Sequence, residues 1–169
     1  MKRLLLLLLL LTIVQFSSCE KDDICVEGDT PLLIIGFFDF DDTTASRNTP
    51  RLRVRALEPD TIINTFNDRT NNDSIALPLR IDSNSTGFVF IINSRDDADT
   101  GEALGNRDTL QFNYEVTERF VSRACGFVAN YNSLDTIRQV DPEGDWIRRI
   151  TVVDTNIVNS NAIHVKIFF

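Results

Sequence analysis

The chain has 169 residues, with 17 Lys and Arg against 25 Asp and Glu and a formal net charge of −8. So acidic a surface, with no cluster of Lys and Arg to offset it, repels phosphate backbones and argues against a nucleic-acid partner. Three cysteines and one histidine are too few nitrogen and sulfur ligands to suggest zinc, so no metal and no cofactor is expected.

At the start, Lys2 and Arg3 precede eight consecutive leucines, Leu4 to Leu11, and the apolar run continues through Thr12, Ile13 and Val14. That run is shorter than the roughly 20 residues that span a bilayer, and it stops at small residues, as a cleaved secretory signal does. Phe16-Ser17-Ser18-Cys19 has the form of a lipobox. Residues 1–18 are therefore expected to be a lipoprotein signal peptide, and Cys19 the acylated first residue of the mature chain, carrying diacylglycerol and palmitate-type chains. Cleavage leaves 151 residues (169 − 18) and takes away two cations and no acids, so the mature charge is −10 (15 − 25). That length suits one domain. With Cys19 assigned to lipid, Cys25 and Cys125 remain in an exported protein, where a disulfide is the economical reading against two free buried thiols or a metal site.

Residues 19–30 read as an acidic tether and residues 31–169 as a single folded domain. Leu32 to Phe38 is a continuous apolar run of strand length, which suits a strand buried on both faces. Arg51-Leu52-Arg53-Val54-Arg55-Ala56-Leu57 alternates strictly, and a helix would scatter its three arginines around the circumference, so period two makes it a strand. Ile75, Leu77 and Leu79 alternate around Pro78, which has no ladder donor and marks an edge or a bulge. Thr86–Ile92 and Thr109–Val116 are strands flanking a long polar loop that contains Gly101 and Gly105. Phe120, Val121, Cys125, Phe127, Ala129 and Tyr131 carry the alternation on, and Trp146–Val153 and Ala162–Phe169 complete it. No stretch after the leader has helical periodicity. Eight to ten short strands separated by turn residues predict an all-β antiparallel β-sandwich of immunoglobulin-like type, with a closed barrel as the alternative.

Candidate sites are few. Trp146 follows a turn and is a candidate ring for stacking on a glycan, against the simpler role of capping the sandwich. Most phenylalanines, Phe88, Phe90, Phe112 and Phe127 among them, fall on buried-type alternations and are assigned to the core. Asp96, Asp97, Asp99 and Glu102 lack the spacing of a calcium loop and read as solvated. His164, with no second histidine for a triad or a metal, reads as a surface residue. Neither a nucleophile elbow nor a phosphate-binding glycine loop is present, and catalysis ranks below binding.

From Cys19 onward the chain resembles lipoproteins of the Bacteroidota. Lys21-Asp22-Asp23 resembles the signal that sends such proteins to the cell surface. Ile24-Cys25 with Gly28-Asp29-Thr30-Pro31, Asp108-Thr109-Leu110, Val121-Ser122 with Cys125-Gly126, and His164 to Phe169 resemble one uncharacterised family of these lipoproteins. The resemblance implies a single domain in which Cys25 and Cys125 recur, and it implies no activity. It places the protein on the outer membrane, surface-exposed, with a periplasm-facing location as the alternative. Asp followed by Ser or Thr and then an aliphatic residue or Thr resembles the O-glycosylation acceptor of these bacteria, and it occurs at Thr43, Thr61, Ser74, Thr109 and Thr136. The expected function is a non-catalytic surface module that binds a protein or glycan partner. The alternative is a ligand carrier or hydrolytic enzyme with an acidic pocket.

Overall fold

The computed structural model describes residues 29–139 and 146–169. Cys19, the expected lipidation site, and Cys25 of the expected disulfide lie outside them, as do the expected leader and most of the expected tether.

The described chain forms ten strands and no helix. In order they are β1 (Leu33–Phe38), β2 (Thr49–Leu57), β3 (Asp60–Ile62), β4 (Thr70–Asn72), β5 (Ser74–Leu77), β6 (Ser85–Asp96), β7 (Ala103–Ser122), β8 (Gly126–Gln139), β9 (Arg149–Val152) and β10 (Val165–Phe168). They make two sheets, one of order β5-β1-β10-β9 and one of order β3-β2-β6-β7-β8 with β4 paired to β2. Neither sheet closes on itself, so the architecture is a β-sandwich and not a barrel.

The apolar run of β1 has the interior place its composition demands, between β5 and β10, and it pairs with β10 in parallel. β5 stops at Leu77, one residue short of Pro78, on the edge of its sheet. On β2, Leu52 and Val54 are fully buried while Arg53 and Arg55 lie on the opposite face. The core between the sheets is filled by Leu33, Ile35, Phe37, Phe88, Phe90, Leu110, Phe112, Val165 and Ile167 among others.

Two tyrosines fasten the connection that leaves β5. Tyr131 Oη donates to the Leu79 carbonyl at 3.0 Å, and Tyr114 Oη donates to the Arg80 carbonyl at 2.9 Å. Their rings meet edge to face at 5.0 Å. Burial pushes the Tyr131 phenol up to about 12, which keeps it a donor across the physiological range.

Two elements run beyond the expected bounds. β6 and β7 extend into the supposed polar loop, leaving only residues 97–102 as the turn, because polar side chains on the solvent face are compatible with a ladder. β7 and β8 also run on together past Val116, and their end reaches beyond the covering sheet. Phe127 was expected in the core and instead is 66% exposed, opposite Phe120 at 55%. Both continue the inward face of their strands, but beyond the end of the four-stranded sheet that covers Phe112 and Tyr131. Alternation gives the face and cannot tell where the opposite layer stops.

His164 is corrected likewise. It is buried, its Nδ1 accepts the Ile34 N–H at 3.0 Å, and its own N–H donates to the Ile34 carbonyl at 2.9 Å. The imidazole is therefore a neutral clip between β1 and the start of β10. Burial lowers its pKa from the usual 6.5, against the raising influences of Asp154 and a backbone hydrogen bond at Asn159. The unfolded chain thus takes up the proton first as pH falls. The clip's contribution is complete above about pH 6.5 and is lost as pH drops through that value toward the lowered folded one. Urea midpoints should fall between pH 7.5 and 5.5, and His164→Gln, which cannot gain a proton there, should flatten the slope. An equal slope in both proteins would refute the assignment.

Candidate functional site

A concavity of about 640 Å³ lies on the outer face of the six-stranded sheet. Its floor is apolar, formed by Leu57 of β2 with Val89 and Ile91 of β6. Arg53 and Arg55 of β2 and Arg107 of β7 stand around it, and the turn residues Thr100, Gly101 and Glu102 wall one end.

Local backbone irregularities shape that wall. The β6–β7 ladder shifts register between Ile92 and Arg95, and Asn93 there has φ of 52°. Across from the shift, Gly105 has φ of 143°, and a Cβ at that position would sit 2.6 Å from the Ile92 carbonyl oxygen. Only glycine fits so close a backbone approach. The bulge re-aims the end of the hairpin, so residues 100–103 line the same concavity as Val89 and Ile91 on the sheet. Within the turn, Asp97 Oδ1 accepts the N–H groups of Asp99 and Thr100, both at 2.9 Å. These bonds hold the Asp97 carboxyl below its ordinary pKa. The acids of this loop thus organise a turn, and no group of three metal-ligating side chains occurs among the described residues.

The arginines are held in ordered geometry. Arg53 is bidentate to Asp68, at 3.1 Å through Nε and 2.5 Å through Nη2, and lies 3.6 Å from Asp96. Arg69 also grips Asp96 with both terminal nitrogens, and this bonding lowers the Asp96 pKa and raises that of Arg69. Arg55 Nη2 contacts both oxygens of Asp60, at 2.8 and 2.7 Å, while its Nε is enclosed and has no acceptor among the described residues. Arg107 donates to the Ala103 carbonyl at 2.5 Å. Planar guanidinium groups beside apolar side chains suit a carboxylate or similar anion attached to an apolar body.

The alternation of arginines on β2 was visible in the sequence. What the sequence did not show is that Arg107, 52 residues beyond Arg55 (107 − 55), joins them across β6.

The other candidates fare differently. Trp146 is only 7% exposed, its backbone N–H donates to Asp108 Oδ2 at 2.8 Å, its indole N–H donates to the Phe90 carbonyl at 3.4 Å, and its ring packs edge-on against Phe169 at 5.2 Å. It caps the core and offers no free face for a sugar. Thr43, Thr61 and Ser74 are exposed, Thr109 is half-buried, and the Thr136 hydroxyl is enclosed. Cys125 is half-buried in the turn between β7 and β8, and it is not a free thiol. Its expected partner, Cys25, is outside the described residues.

A family model described as a family of unknown function (DUF6452) matches residues 51–169, which is more than half of the chain. The chain belongs to this family. The match starts within β2 and takes in the whole concavity and the β7–β8 ribbon. No curated protein and no solved structure gives a significant match. Family membership brings no activity with it, and nothing found indicates catalysis.

Proposed function

We propose that this is a non-catalytic binding module of the bacterial cell envelope, anchored through acylated Cys19 and holding a protein or glycan partner by an acidic group in the arginine-lined concavity. The single observation that supports the binding site is the convergence of Arg53, Arg55 and Arg107, from two strands, over the Leu57, Val89 and Ile91 floor. The lining carries three arginines against the acids Asp60 and Glu102, and this excess of one cation supports an anionic group on the ligand. The leader, the lipobox and the resemblance to Bacteroidota lipoproteins support the anchor, the outer-membrane location and the Cys25–Cys125 disulfide.

Crosslinking and pull-down from native membranes would identify the partner. Charged hydrogen bonds contribute about 1.5–3 kcal/mol each, so the double variant Arg55→Gln with Arg107→Gln should weaken capture roughly 100-fold or more while the domain stays folded at the assay temperature. Arg53 is left intact in this test because its pairing with Asp68 also braces the sheet. Capture at full strength by the folded double variant would sink the proposed site.

A further inference from the structure

The β7–β8 ribbon ends in a patch that the binding site does not use. Phe120 and Phe127 face each other across the ladder with ring centroids 5.3 Å apart, edge to face, and both are exposed. Residues 119–127, Arg-Phe-Val-Ser-Arg-Ala-Cys-Gly-Phe, contain two arginines and no acid, although the mature chain as a whole is strongly acidic. An aromatic pair flanked by cations, at the end of a protruding hairpin, has the chemistry of a bilayer interface. Rings enter the headgroup–acyl boundary while guanidinium groups stay with anionic headgroups.

The place where the described chain begins puts this end nearest the attachment point. The described chain begins at Asp29, and the Thr30 hydroxyl accepts the Ala129 N–H on the free edge of β8 at 3.4 Å. Ala129 is two residues from Phe127, about 7 Å along the strand. Ten residues separate Asp29 from Cys19 (29 − 19), at most roughly 35 Å of extended chain. A lipid attached to Cys19 therefore keeps the ribbon tip within roughly 45 Å of the membrane. The 97–102 turn lies at the other end of β7, up to about 55 Å away along that strand.

We propose that the Phe120–Phe127 tip inserts into the interface of the membrane that holds Cys19, so the domain stands on its ribbon with the arginine-lined concavity directed away from lipid. This inference rests on the lipoprotein reading. The test uses the acylated full-length mature protein, reconstituted in vesicles of phosphatidylethanolamine and phosphatidylglycerol with brominated acyl chains. A tryptophan is introduced by Phe127→Trp in one sample and by Ala98→Trp, in the opposite turn, in another, with buried Trp146 as internal reference. The added emission of Phe127→Trp should shift to the blue and fall at least twofold in brominated vesicles, and that of Ala98→Trp should stay within a tenth of its value. If Cys19 proves by intact mass to be unacylated, the anchoring reading and this inference fall together. If Cys19 is acylated and the two positions are quenched equally or not at all, the inference falls and the anchor stands. Protection of Phe127→Trp only when envelope proteins are added would likewise overturn it, by assigning the tip to a protein surface.

Discussion

Asp108→Ala should be the most damaging single change in the described domain. The side chain is fully buried on β7, and its Oδ2 accepts two backbone N–H groups, those of Trp146 and Ile147, both at 2.8 Å. Removing the acceptor strands both donors in a dry interior at about 1–3 kcal/mol each, so a total near 3 kcal/mol or more is expected. For a domain of this size that is a drop in melting temperature of roughly 10 °C. Arg138, which donates to the Ile147 carbonyl, lies in the same cluster. The loss should therefore spread to the packing of Trp146 against Phe37 and Phe169. Asp108→Asn keeps one oxygen in place and should cost less than half as much. Urea titrations with an unchanged slope and a lower midpoint would report the effect as one of stability. An alanine variant within 1 kcal/mol of the parent would show that the two N–H groups find other acceptors.

Reduction or loss of the proposed Cys25–Cys125 bond should be comparably severe. The cysteines are 100 residues apart (125 − 25), and in the chain-entropy model closing such a loop stabilises by roughly 4–5 kcal/mol, less any strain in the folded state. Domains have about 5–15 kcal/mol of net stability, so the bond would account for a large part of it. Cys125→Ser and Cys25→Ser should destabilise equally, and the double variant should be little worse than either. Non-reducing peptide maps of protein taken from the envelope should join the two peptides. Maps in which Cys125 is joined to another thiol would assign the bond differently.

The strands were largely legible because half-buried β-structure writes itself as alternation. Leu52, Val54 and Ala56, or Leu110, Phe112 and Tyr114, announce both the strand and its inner face. Partners across space leave no such trace. Asp108 stands in an Asp-Thr-Leu triplet that reads equally well as a turn or a modification site, and its role depends on backbone N–H groups 38 and 39 residues away. His164 alternates with core residues as a surface histidine would, and only the Ile34 N–H at its Nδ1 reveals a buried acceptor. Phe127 shows the reverse error, since its face was read correctly and the missing cover was not. The concavity was half legible. Three arginines on one side of β2 were plain, while Arg107 and the bulge at Asn93 that completes the wall depend on register.

The parallel pairing of β1 with β10 constrains how such a chain can be produced. β10 lies between β1 and β9, so a polypeptide emerging N-terminus first from a ribosome or a translocation pore has β1 available long before its neighbour exists. Until residues 165–168 appear, the four-stranded layer is two unjoined pieces, and Leu33 to Phe38 presents an open apolar edge. Contacts over such a sequence separation form slowly, and exposed strand edges recruit other chains. The early strand therefore keeps an open edge throughout synthesis, and the time to pass residue 168 sets a lower bound on the time to complete the four-stranded sheet.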